Sequence, residues 1–179
     1  MKNTRLKNLR IAVASVIVCF SLGAGAAQAG DDRNSDSDKR SDGGKFLLIS
    51  FDENFSACPT CGPSQSTIDG TTTLAGAFSD KGPRHQDNTV VSVSSDGKQV
   101  VVTGTVRISG SKGMLTTQYT GTIQFDGTTN IAYIEGTEYI TGGTGAYAKA
   151  KGNGTFEATI DFDTNNIVGV AELNVKAKK

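Results

Sequence analysis

The chain has 179 residues, room for one ordinary domain, with 18 basic and 18 acidic side chains. Four of the basic residues and none of the acidic ones fall in the first 29, so the remainder carries 14 basic against 18 acidic groups. That balance excludes the basic field that nucleic-acid and anionic-membrane binders need.

Lys2, Arg5, Lys7 and Arg10 precede an apolar stretch from Ile11 to Ala24, and Ala27-Gln28-Ala29 forms a small-x-small site. This is the pattern of a secretory signal peptide over residues 1–29, and it predicts a secreted or periplasmic protein starting near Gly30. The apolar run is short for a bilayer span and ends in a cleavage site, so no stable membrane anchor is expected. Cys19 follows Val-Ile-Val inside that run, without the small residue a lipidation site carries, and would leave with the signal.

Residues 30–44, GDDRNSDSDKRSDGG, hold no apolar side chain. Such a stretch cannot repay its ordering entropy, and it is expected to be a solvated linker before a domain over 45–179. Asp32, Asp36 and Asp38 alternate as in a calcium loop but lack its glycine and closing glutamate.

From Lys45 onward apolar residues recur at a period of two, with nothing long at 3.6. Eight strands are predicted, near 45–52, 71–79, 89–95, 98–109, 114–126, 130–141, 152–163 and 166–176. Val100, Val102, Val106 and Ile108 share one face of the fourth, and Leu115, Thr117, Tyr119, Ile123 and Phe125 one face of the fifth. Gly, Asn and Asp in the short connections supply the positive φ of tight hairpins. A meander of eight strands exposes two edges unless it closes, so the expected fold is all-β, an eight-stranded antiparallel up-and-down barrel, with a two-sheet sandwich as runner-up. A barrel of this size is filled by side chains or holds one small ligand.

Cys58-Pro59-Thr60-Cys61 is expected to close a local disulfide in an exported protein. A thioredoxin-like role would need a helix beneath the first thiol, and a zinc site would need two more ligands where His85 is the only histidine. No metal and no cofactor are predicted. His85 falls in a polar stretch read as a loop, and no nucleophile elbow accompanies it, so Ser/His/Asp hydrolysis is not expected. Asp161, Asp163, Asn165 and Glu172 have calcium-loop spacing, but Asn166 replaces the glycine and strands flank them, so a hairpin turn is the preferred reading. Asn54-Phe55-Ser56 and Asn153-Gly154-Thr155 match glycosylation acceptors.

The sixth strand offers two faces. One carries Ile131, Tyr133, Glu135, Thr137 and Tyr139; pointed inward, it would desolvate Glu135 among Tyr133, Tyr139 and the neighbouring Tyr119. In the other register Ile134 and Ile140 go in, and the pattern leaves both open.

Gly136 to Gly154 resembles the signature of the allene oxide cyclase and dirigent barrels: a strand running into Gly142-Gly143-Thr144-Gly145, then Tyr147, then Gly152 leading into the next strand. The resemblance covers about residues 130–175. It implies an eight-stranded antiparallel barrel with a hydrophobic lumen, often oligomeric, in which Tyr147 could cover the barrel mouth. It also places Asp52 and Glu53, at the end of the first strand, roughly where such barrels hold acidic pocket residues. Taken together, the sequence points to a secreted barrel binding a small hydrophobic molecule through Tyr119, Tyr133, Tyr139 and Tyr147. The alternatives are a cofactor-free cyclase or isomerase using Glu135 and Asp52, a dirigent-like protein steering a coupling reaction, or a structural exoprotein with a packed lumen.

Overall fold

A computed structural model describes residues 45–56, 61–62 and 64–177. The predicted signal peptide, the linker and Cys58 lie outside the described residues.

Eight antiparallel strands follow one another around a closed barrel: β1 (Lys45–Ser56), β2 (Gln65–Gly76), β3 (Asp80–Val93), β4 (Gln99–Gly110), β5 (Gly113–Phe125), β6 (Ile131–Gly143), β7 (Ala150–Asp161) and β8 (Asn166–Ala177). Closure comes from β1 pairing with β8, from Lys45 opposite Val175 to Asn54 opposite Asn166. The seam leaves no free edge, and the sandwich alternative is set aside.

Strand alternation sorts the side chains into a lumenal and an outer set. In β1, Leu47, Ile49, Phe51 and Glu53 are buried while Ser50, Asp52 and Asn54 are exposed. In β6, Ala132, Ile134, Glu138 and Ile140 are buried, and Tyr133, Glu135, Thr137 and Tyr139 are exposed. Of the two registers open for this strand, the protein adopts the one with the isoleucines inside.

The barrel's two ends differ. At the end formed by the start of β1 and the close of β8, Leu47, Ile49, Leu74, Val106, Ile108, Leu115, Leu173 and Val175 are each at most 2% exposed and fill the cross-section. Tyr147 seals this end. Its ring, fully buried, meets the Phe78 ring edge-on with centroids 4.9 Å apart, and its hydroxyl donates to Asp80 Oδ2 at 2.8 Å. Asp80 is the end's organising acceptor, since it also takes the backbone N–H groups of Lys112 (3.0 Å), Lys81 (2.9 Å) and Ser111 (3.2 Å) and the Ser111 hydroxyl (2.9 Å). Those bonds, the Lys112 N–H first, hold its carboxyl well below the usual carboxylate range.

The glycine motif serves this plug. Gly145 adopts φ +56° at the start of a 3₁₀ turn, Gly145–Tyr147, and a Cβ there would stand 2.2 Å from the Lys112 carbonyl oxygen. Gly143 sits where a Cβ would meet the Tyr147 Cβ at 2.6 Å. Thr144 pins the hairpin to β5 in both directions: its N–H donates to Met114 O at 2.8 Å and its hydroxyl accepts from Met114 N at 3.0 Å. Gly145→Ala is expected to cost about 2 kcal/mol or more, since a left-handed φ alone costs about 1–2 kcal/mol. Urea denaturation checks this, and an unchanged midpoint would mean that the turn relaxes freely.

Two sequence readings need correction here. β2 and β3 begin earlier than the predicted 71–79 and 89–95, and His85 lies mid-strand in β3 instead of in a loop. It faces outward between two carboxylates, Nδ1 at 2.6 Å from Asp69 Oδ1 and Nε2 at 3.2 Å from Asp87 Oδ1. The calcium-spaced set is dispersed around a hairpin turn, in keeping with the preferred reading. Asp161 accepts the N–H groups of Asp163 and Thr164 in the β7–β8 turn, whereas Glu172 lies opposite Thr155. Six strand residues, roughly 20 Å, separate Glu172 from the turn.

Candidate functional site

Above the packed half the lumen is open. A cavity of about 360 Å³ runs down from the end formed by the close of β1 and the start of β8. Its walls are apolar: Phe51, Ile68, Val102, Ile134, Phe156 and Ile160 line it among others, and Phe55, Val90 and Phe162 stay partly exposed around its mouth. Phe162 stacks on Phe125 at that rim, ring centroids 5.8 Å apart and 17° from parallel. The size falls within the range of small-molecule sites, about 300–1,000 Å³.

The floor is polar, and one strand supplies half of it. Arg84, Gln86 and Asn88 alternate on β3 and all three point inward, where Glu53 from β1, Tyr119 from β5 and Glu138 from β6 meet them. Arg84 Nη1 donates to Glu53 Oε2 at 3.0 Å and Nη2 to Gln86 Oε1 at 3.2 Å, while the guanidinium lies 3.9 Å from the Phe51 ring centre. Gln86 Nε2 donates to the Tyr119 hydroxyl at 2.9 Å, and that hydroxyl in turn donates to Asn88 Oδ1. The Tyr119 ring meets Phe156 edge-on, centroids 5.3 Å apart. Glu138, 2% exposed, accepts from the Thr117 hydroxyl.

Electrostatics follow from the charge count. One guanidinium faces two carboxyls in surroundings that stabilise charge poorly, so a single ionised carboxylate balances the floor. Burial pushes the Glu53 carboxyl up to about 7; Arg84 opposes the rise and Glu138 adds to it. Burial raises Glu138 as well, against Arg84 and the Thr117 hydroxyl. Among the described residues two buried polar atoms, Glu53 Oε1 and Arg84 Nε, have no hydrogen-bond partner.

The residues expected to form the site divide between the lumen and elsewhere. Tyr119 lies on the lumen floor, apart from Glu135. Glu135, Tyr133 and Tyr139 are on the outer face of β6, so neither the acid nor the two phenols reaches the cavity; the Tyr139 hydroxyl instead donates to Gln118 Oε1 at 2.7 Å. Asp52 also points outward, where its Oδ1 accepts from Asn166 Nδ2 at 2.7 Å, and its neighbour Glu53 takes the inner position. Tyr147, with Gly142, Gly143, Thr144, Gly145 and Gly152 around its hairpin, belongs to the sealed end and is not part of the cavity. Cys61 is in the β1–β2 connection, with Cys58 outside the described residues.

Sequence reasoning missed Arg84, Gln86, Asn88 and Glu138. A period-two run of polar residues was the available signal on β3, and the alternative register of β6 carried Glu138 inward with Ile134 and Ile140. Among the described residues no three His, Cys, Asp or Glu side chains gather in a way that could hold a metal ion. Comparison of the chain with protein-family models, curated proteins and solved structures gave no match.

Proposed function

We propose that this chain is an exported barrel that takes up one small, largely apolar molecule in its lumen. The observation that carries this reading is the cavity itself: closed below by Tyr147 and the aliphatic layer, open above, with apolar walls over a polar floor. Apolar walls supply binding free energy through surface removed from water, and a few fixed polar groups orient the guest. In an oxidising compartment Cys58 and Cys61 would join as a disulfide in the β1–β2 connection.

The test is occupancy. Native mass spectrometry of the purified chain is expected to show a bound small molecule, or uptake of an uncharged lipophilic dye with one-to-one stoichiometry. Ala158→Phe, which places a ring in the cavity wall, is expected to abolish uptake while the barrel's far-ultraviolet spectrum is retained. A chain that stays empty with every lipophile offered, or a variant that binds as well as the parent, would sink the reading.

A second reading, a cofactor-free isomerase or cyclase as the allene oxide cyclase resemblance implies, draws on Glu53. A carboxyl with a pKa near 7 beside an apolar cavity is poised for proton transfer at neutral pH. Turnover of an unsaturated substrate that Glu53→Gln abolishes without weakening binding would separate enzyme from carrier. The same resemblance suggests a homo-oligomer, which size-exclusion chromatography with light scattering would reveal.

A further inference from the structure

We propose, building on the lumenal binding reading above, that the cavity selects an uncharged lipophile whose head group offers a hydrogen-bond acceptor, such as a ketone, ester or alcohol, and that the Asn88 amide receives it. The geometry of the floor carries this. Both terminal nitrogens of Arg84 are committed, one to Glu53 and one to Gln86, and Phe51 lies beneath the guanidinium. From there the donors run in one direction: Arg84 to Gln86, Gln86 to Tyr119, Tyr119 to Asn88 Oδ1. Asn88 is the end of the relay. Its oxygen is spent on the phenol, which leaves its NH₂ as the relay's terminal donor, on a side chain 8% exposed that lines the cavity.

A donor at that place, among apolar walls, favours an acceptor on the guest, because an unpaired buried N–H is costly. Charged heads fit badly. A carboxylate would add a third carboxyl group to a floor holding one cation, Arg84, which already donates to Glu53 and Gln86. An ammonium would need an anionic partner, yet the two carboxyl groups are nearly sealed, Glu53 at 1% and Glu138 at 2% exposed, and each already accepts through one oxygen, from Arg84 and Thr117. Either ion would lose its hydration without replacement.

Displacement of the uncharged dye N-phenylnaphthylamine from the purified chain tests the idea with competitors that share a chain length and differ in the head: decanol, methyl octyl ketone, decanoate and decylammonium, at neutral pH. The ketone and alcohol are expected to compete at least about tenfold more tightly than either ion, a difference of roughly one hydrogen bond plus part of an ion's desolvation. Asn88→Leu is expected to remove most of the neutral compounds' advantage over the two ions. Because that variant also strips the Tyr119 hydroxyl of its acceptor, Asn88→Asp serves as the second. It keeps the oxygen and replaces the donor, and it is expected to weaken the ketone and strengthen decylammonium. Decanoate or decylammonium competing as well as decanol against the parent chain, or an unaltered ranking in both variants, would overturn the head-group assignment while leaving lumenal binding standing. Failure of the chain to bind the dye or any competitor would overturn the binding reading itself.

Discussion

Tyr147→Ala is expected to lower the unfolding free energy by about 3–5 kcal/mol, the range for truncating a large buried aromatic. Three contributions fall together. The fully buried ring leaves a void at the sealed end, the edge-on contact with Phe78 is lost, and Asp80 loses its phenolic donor. Tyr147→Phe, which removes only the hydroxyl, should cost much less, and the gap between the two variants measures the packing share. Urea denaturation at constant m-value reads both. A loss below about 1 kcal/mol for the alanine variant would mean that the strand ladder alone holds this end. Binding at the opposite mouth should survive, because the aliphatic layer of Leu47, Ile49, Leu115 and Leu173 stands between the plug and the cavity.

The strands that proved legible were those whose inner face is apolar. β4, expected at 98–109, spans Gln99–Gly110, and β8, expected at 166–176, spans Asn166–Ala177. Val102, Val106 and Ile108, or Ile167, Ala171, Leu173 and Val175, write the period of two directly into the chain. β3 hides it. Its buried positions are Arg84, Gln86 and Asn88, its outer ones include His85 and Asp87, and Pro83 sits within the strand opposite Thr71. Polar inside and polar outside, with a proline, reads as a loop by any pattern rule. The strand that builds the candidate site was therefore the least visible, and for the same reason: a lumen that offers polar groups to a guest must break the alternation that announces a core. Arg84 meets Glu53 from 31 positions earlier, and its neighbour Gln86 meets Tyr119 from 33 later, contacts that the barrel's curvature brings together across the lumen. By contrast, the conspicuous Gly142-Gly143-Thr144-Gly145 run marks the sealed end, where backbone geometry and not chemistry demands glycine at 143 and 145.

The second large effect is expected from the Glu53–Arg84 pair. Arg84→Met should cost about 3–5 kcal/mol near pH 8, because it leaves Glu53 buried without its counter-charge. The deficit should shrink in mild acid, where Glu53 is protonated. The parent chain carries its own pH signature. Glu53 has a folded value near 7 against 4.5 when unfolded, so between those values the folded chain holds a proton that the unfolded chain has released. Its contribution is complete below about 4.5 and is lost as pH rises through about 7, so stability falls across that window. At about 1.36 kcal/mol per pH unit the ceiling is about 3 kcal/mol. His85 contributes in the same direction: its hydrogen bond to Asp69 raises it above the ordinary 6.5, so its share is present below that value and fades as pH climbs. With the ring 38% exposed, that share is small. Glu53→Gln separates the two. It keeps an acceptor for Arg84 and should flatten most of the decline, while His85→Gln should leave it nearly intact. A parent chain equally stable at about pH 5 and about pH 8, or a Glu53→Gln variant with the parent's slope, would show that Glu53 is ionised throughout that range.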